Sequence, residues 1–180
     1  MAPGLRRLGT LLTAPPDAGE EIVRVLEVLD GVAAPYGHES AAAVRLASWC
    51  TARWPWIDWT VQRYGTGGAN LLAGDPAGVL LYSHLDTSLS GDPSEDRPIT
   101  GRDAPLPPLK ATPTHVEGFG LGVARAPAAA ALTAFVSAAS RGVPARLLLA
   151  GSGTHRSTLH GSGGKTRSTG LDHYLATAPP

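Results

Sequence analysis

The sequence is poor in cysteine, in net charge and in long apolar runs, and each shortage excludes a class of protein. Cys50 is the one cysteine in 180 residues, which excludes an internal disulfide framework and a zinc site made of cysteines alone. Fifteen basic residues balance fifteen acidic ones, so the composition gives no electrostatic footprint for nucleic acid or for an anionic membrane. No apolar stretch approaches the ~20 residues that span a bilayer. We therefore expect a cytoplasmic protein with no nucleic-acid partner and no membrane partner.

What remains is the composition of an ordinary globular domain. Hydrophobic residues make up 43% of the chain and charged residues 17%, and a chain of this length can bury a sizeable core. We predict a flexible N-terminal tail over residues 1–17 and a single α/β domain over residues 18–180.

Hydrophobic periodicity predicts the order of helices and strands. The predicted helices cover residues 18–32, 34–53 (after an opening turn), 123–142 and 171–177, and the predicted strands cover residues 57–64, 69–74, 79–84, 114–118 and 145–151. Residues 90–114 and 151–170 are rich in Pro, Gly, Asp, Ser or Thr and are predicted to be loops. This order favours a three-layer αβα sandwich with a mixed, mostly parallel sheet.

One segment, "LLYSHLDTSLSGDP" at residues 80–93, carries the candidate chemistry. His84 ends a predicted buried strand, at the edge where α/β sheets place their ligand sites. A histidine can bind zinc through one ring nitrogen while the other donates to a carboxylate, and Asp86 points the same way as His84 if the chain stays extended. On its own, this H-x-D pattern also fits a histidine at a strand end beside a loop aspartate.

Segments on both sides strengthen the case for a zinc site. "LLYSHLDTSLSGDP" resembles the "GHLDTVP" segment of the zinc-dependent family of aminoacylases, acetylornithine deacetylases and succinyl-diaminopimelate desuccinylases, which also contains glutamate-releasing carboxypeptidases. "YGHESAAAVRLASW" is similar to the family's first helix after its "SG-E" turn, and "GTGGANLLA" to its "GNLLA" strand. "VEGFGLGVARAPAAAALTAFVSA" resembles its "GRGA-DMKGGLAA" turn and helix, and "ARLLLAGSGTH" the strand before its "DEE" motif. The resemblance runs in order from about residue 20 to the C terminus.

The resemblance implies a pair of zinc ions that hydrolyse amide or peptide bonds in N-acyl amino acids or short peptides. The family's H-x-D histidine binds zinc and its aspartate orients that histidine, roles that fall here on His84 and Asp86. The positions that match the metal-bridging aspartate and the two glutamates of "DEE" are Val123, Gly153 and Thr154, and none of them has a carboxylate. The family's later ligands and its inserted lid or dimerisation domain match nothing here, so the domain corresponds to the N-terminal half of the family's fold.

Two hypotheses about function follow. In the first, the chain is a metal-dependent hydrolase of this family, truncated or divergent, in which His155 joins His84 and a carboxylate around one zinc ion, as in mononuclear zinc hydrolases. The alternative for His155 is an exposed loop histidine. In the second hypothesis, the chain is a non-catalytic relative that binds a ligand or a partner chain, including another copy in a homo-oligomer or a different chain in a hetero-oligomer.

A glycine-rich turn follows the last predicted strand. "GSGTH" begins at Gly151, and it can form a nest of main-chain N–H groups that binds an anion. The interpretation that we favour from sequence is a flexible linker, because the segment is low in apolar residues up to about residue 170.

Overall fold

A computed structural model of the chain describes residues 17–87, 89, 92–101, 107–153 and 169–177. The predicted tail up to residue 16 lies outside these residues, and so do Thr154 and His155. The helices are α1 (Ala18–Leu29), α2 (Ser40–Arg53), α3 (Pro93–Thr100), α4 (Ala126–Ser140) and α5 (Gly170–Thr177), with a π-helical turn at Leu121–Arg125 directly before α4. The strands are β1 (Trp59–Tyr64), β2 (Gly68–Gly74), β3 (Val79–His84), β4 (Lys110–Ala111), β5 (Val116–Glu117) and β6 (Ala145–Ala150). Within the described ranges, no helix is long and apolar enough to cross a membrane.

The main sheet has four strands in the order β1-β2-β6-β3. β2 pairs with β1 and β6 in antiparallel fashion, whereas β3 and β6 run parallel, with His84 opposite Ala150. The predicted mixed α/β sheet is therefore confirmed, but the prediction that it is mostly parallel is wrong for the described strands. The three residues between β1 and β2 allow only a hairpin, and only the connection from β3 to β6 is long enough to hold a crossover helix.

Two helices, α2 and α4, lie on one face of this sheet, and α1 packs against both of them. Odd-numbered residues of the central strands, among them Leu71, Leu147 and Leu149, are fully buried there against apolar side chains of α1, α2 and α4. Ala128 and Ala129 on α4 are also fully buried, and their small size lets that helix lie close to the strands. The core therefore lies between the sheet and these helices.

The opposite face of the sheet is covered only in part. The even-numbered Leu148 and Ala150 on β6 pack against Tyr174 of α5 in a second, smaller cluster. On β3, Leu80 and Tyr82 remain 41% and 45% exposed. The half of this face that belongs to β3 is thus open. The prediction that His84 ends a buried strand is wrong, because β3 lies at the edge of the described sheet and not in its middle.

One helix lies inside a segment predicted to be a loop. α3 begins after Asp92, whose Oδ1 accepts a hydrogen bond from the Ser94 N–H at 2.7 Å, and Pro93 opens its first turn. Gly101 ends the helix in the left-handed region, with φ 66°. An aspartate cap, a first-turn proline and a terminal glycine together indicate a short helix, and the proline- and aspartate-rich composition of the segment obscured that pattern.

Candidate functional site

The two segments that the sequence predicts to carry chemistry meet at one edge of the sheet. His84 is the last residue of β3 and Ala150 the last of β6, and these parallel strands place them side by side. The H-x-D segment continues from β3, and the G-S-G turn (Gly151–Gly153) continues from β6. Gly153, one of the three positions that the resemblance sets near His84 and Asp86, lies next to both of them.

Asp86 is fully buried between His84 and the G-S-G turn. Its Oδ1 accepts a hydrogen bond from the Gly153 N–H at 2.7 Å, and the same oxygen lies 3.4 Å from His84 Nδ1. The Asp86 carbonyl oxygen lies 3.3 Å from the same ring nitrogen. Oxygens beside Nδ1 favour the tautomer that carries its proton there, which is how a carboxylate orients a histidine. The bond to Gly153 is the shorter contact, so Asp86 holds the turn at least as firmly as it holds the histidine.

Gly153 packs directly against His84. A Cβ added to Gly153 would lie 2.5 Å from His84 Cβ and 3.3 Å from Tyr82 Oη. Position 153 is the one that the family resemblance matches to a glutamate, and the structure has no room there for any side chain. A carboxylate at this position would require the ends of β3 and β6 to move apart.

A second buried carboxylate, which the sequence analysis did not single out, holds the same turn from the other side. Glu39 is fully buried at the start of α2, and its Oε1 accepts hydrogen bonds from the N–H groups of Gly37 (2.6 Å) and Ser152 (2.8 Å). Its Oε2 is buried and has no hydrogen-bond partner among the described residues. Burial raises the pKa of Glu39 above the ordinary value for a glutamate, although hydrogen bonds from the main-chain N–H groups of Gly37, Glu39 and Ser152 oppose that shift.

Ser152 stands between these two carboxylates in an unusual backbone conformation. Its φ is 52°, in the left-handed region that non-glycine residues rarely adopt, and the residue is buried. Tyr64 Oη donates to Ser152 Oγ at 3.3 Å, and burial raises the pKa of Tyr64. A strained residue persists when its surroundings hold it in place, and here Glu39 and Tyr64 both bind Ser152. The described part of the turn does not form the anion-binding nest that was considered from the sequence, because its N–H groups donate to separate acceptors: Gly151 to Asn70, Ser152 to Glu39 and Gly153 to Asp86.

A cleft opens beside Ser152. It has a volume of about 450 Å³ and is lined by Tyr36, Gly37, Tyr64, Gly65, Thr66, Gly68, Ser152 and His173. The rings of Tyr64 and His173 lie 5.4 Å apart, at 33° to one another. Small-molecule sites have volumes in this range and combine apolar walls with a few polar groups.

Only part of the predicted zinc site lies within the described residues. His84 and Asp86 lie together, whereas His155 falls outside the described residues. Val123, which matches the bridging aspartate, lies in the π-helical turn before α4. In the part of the chain that the structure describes, no three His, Cys, Asp or Glu side chains are grouped so that they could hold a metal ion.

Comparisons with known proteins add no relative. No protein-family model matches the chain, and a search of curated proteins finds no significant match. Membership of the zinc-dependent aminoacylase family stays a prediction from the sequence motifs.

Because Gly153 lies against His84, we expect a single added methyl group at position 153 to destabilise the fold. We expect Gly153→Ala to lower the free energy of unfolding by about 1–3 kcal/mol, because the new methyl group meets a Cβ and not the end of a flexible side chain. Gly19→Ala is the matched control, since Gly19 lies in α1 with nothing within 4 Å of an added Cβ. We expect this control to raise the free energy by about 0.5–1 kcal/mol. Urea denaturation measures both, and equal effects would show that position 153 is not crowded.

The raised pKa of Glu39 predicts how stability depends on pH. A carboxyl group with a folded-state pKa above its unfolded value adds stability that is complete below the unfolded value of 4.5 and is lost as pH rises through the folded value. The free energy of unfolding of the wild type, minus that of Glu39→Gln, should therefore fall as the pH rises above 4.5. Urea denaturation at a series of pH values measures this difference. A difference that grows with pH would mean that Glu39 is ionised and stabilising in the fold.

Proposed function

We propose that this chain is a divergent relative of the zinc-dependent aminoacylase and deacetylase family that binds an N-acyl amino acid or short peptide and has lost the hydrolytic step. The observation that carries the proposal is the packing of the G-S-G turn. Gly153 donates to Asp86 and lies against His84, so the backbone fills the place where the resemblance requires a glutamate as general base. Loss of a general base costs a factor of ~10²–10⁴ in rate.

The cleft beside Ser152 supports ligand binding. Its wall contains the rings of Tyr36, Tyr64 and His173, which offer apolar contact to an acyl chain or an amino-acid side chain. Ser152 also lines the cleft, and Glu39 and Tyr64 already fix the position of its hydroxyl. A site whose polar group is held in place before binding loses less entropy when the ligand arrives.

We also propose that the complete domain is a three-layer αβα sandwich that works in the cytoplasm. Support for the layers comes from α2 and α4 on one face of the sheet, with α1 packed against them, and from α5 on the other face. Support for the compartment comes from the thiol of Cys50, which is buried and free, as in proteins kept in reducing surroundings.

A second candidate function is zinc-dependent amide hydrolysis at a site made of His84, His155 and a carboxylate. The observation that favours it is the contact between Gly153 and His84. His155 follows Gly153 by only two residues in the sequence. A zinc ion bound there would lower the pKa of its water from about 15.7 to about 7 and supply hydroxide at neutral pH. Asp86 would then orient the histidine ligand.

One experiment separates the two functions. Purified protein, supplied with excess zinc and then dialysed, is tested for zinc content, for binding of a panel of N-acetyl amino acids and dipeptides by calorimetry, and for release of free amine. We expect binding without amine release, and a zinc content that His84→Ala does not change. His173→Ala should weaken binding roughly 2- to 10-fold, since it removes one ring from the cleft.

A control variant shows whether the effect on binding is specific to the cleft, and two results would overturn the proposal. His115→Ala removes an exposed histidine outside the cleft and should leave binding unchanged. Stoichiometric zinc and amine release that both vanish in His84→Ala would establish the second candidate and overturn the loss of hydrolysis. If no compound of the panel binds, the proposal that the ligand is an N-acyl amino acid or short peptide is overturned.

A further inference from the structure

Exposed apolar side chains are concentrated on one strand. Val79, Leu80 and Tyr82 on β3 are 73%, 41% and 45% exposed, and they are three of the six large hydrophobic residues that are exposed in the described part of the chain. Single exposed apolar residues are normal, but a group of them on one element marks an interaction surface. We call residues 79–84 the β3 edge.

Among the described residues, no strand pairs with the outer main-chain groups of the β3 edge. β3 is the last strand in the sheet order, and of the described strands only β6 pairs with it. The Val79 N–H donates to the Pro144 carbonyl at 3.2 Å, and the Leu85 N–H donates to the Ala150 carbonyl at 2.8 Å. Because successive residues of a strand turn their peptide groups to opposite edges, those of Leu80 and Tyr82 face away from β6. The edge therefore offers hydrogen bonds as well as apolar area.

The two edges of the sheet differ in how they are protected. Natural edge strands avoid pairing with other chains through charged residues, prolines or bulges. β1, at the opposite edge, carries the exposed charged side chain of Arg63. β3, with the sequence VLLYSH, has no Asp, Glu, Lys, Arg or Pro. Of the two edges, β3 is therefore the one that lacks charged side chains and prolines that prevent pairing with another strand.

We propose that two copies of this chain pair through their β3 edges, antiparallel, about a twofold axis at Leu81. This register sets Leu80 opposite the partner's Tyr82 and Tyr82 opposite the partner's Leu80. Each such pair exchanges two main-chain hydrogen bonds, since all four residues turn their peptide groups outward. An aromatic side chain beside an aliphatic one is a favourable cross-strand pair, and both pairs lie on the open face of the sheet.

Charge favours a second copy as the occupant. The strand has no charged side chain, and the chain has fifteen basic and fifteen acidic residues, so two copies approach without net repulsion. The strand is also complementary to itself in the antiparallel register, which is what a twofold dimer requires.

Sedimentation velocity tests the proposal. The wild-type chain should sediment with twice the 18.5 kDa mass of one chain, and Leu80→Lys should sediment as a monomer because it sets a charge against the partner's Tyr82. Leu175→Lys is the matched control, because Leu175 is 64% exposed on α5, and it should remain a dimer. A monomeric wild type, or a Leu80→Lys variant that remains a dimer, overturns the proposal.

Hydrogen exchange of the wild type tests the interface without a variant. The amides of Leu80 and Tyr82 should exchange more slowly as protein concentration rises, while amides on the outer edge of β1 should not change. Exchange at Leu80 and Tyr82 that is independent of concentration in a dimeric sample would place the interface elsewhere and overturn the proposal.

Discussion

Two buried carboxylates hold one three-residue turn, and the candidate site depends on that arrangement. Glu39 binds the N–H of Ser152 and Asp86 binds the N–H of Gly153. These bonds fix the end of β6 beside the end of β3, and they hold Ser152, which lines the cleft, in the left-handed region. A buried carboxylate is costly unless it receives hydrogen bonds, so the turn and the two acids stabilise each other.

The same arrangement separates this chain from the hydrolases that its motifs resemble. In those enzymes, as the resemblance implies, the H-x-D aspartate serves a zinc ligand and the next strand end supplies a general base. Here Asp86 accepts a hydrogen bond from Gly153, and the α-carbon of that glycine lies against His84. In the proposed function, the backbone at Gly153 stands where the family has its general base, and the neighbouring cleft, which Tyr64 and His173 line, binds the ligand.

Local patterns predicted the four strands of the main sheet and the position of His84, because the apolar run of β3 ends on that residue and parallel neighbours share a carboxyl edge. The short strand β4 was missed because it lies in a segment predicted to be a loop. Glu39 was missed because its partner Ser152 lies 113 positions away in the chain, a contact that no periodicity reports. The prediction of a mostly parallel sheet was wrong, because the spacing of strands along the chain does not show that β6 lies between β2 and β3. α3 was missed because proline and aspartate are typical of both loops and helix starts.

The central claim is that Glu39 and Asp86 close the G-S-G turn, and amide hydrogen exchange tests it most directly. The account predicts that the Ser152 and Gly153 amides exchange far more slowly than the amide of Gly65, which lies in an exposed turn, because their hydrogen bonds must break first. It also predicts that Asp86→Ala speeds exchange at Gly153 more than at Ser152. Fast exchange at both positions in the wild-type protein would contradict the account.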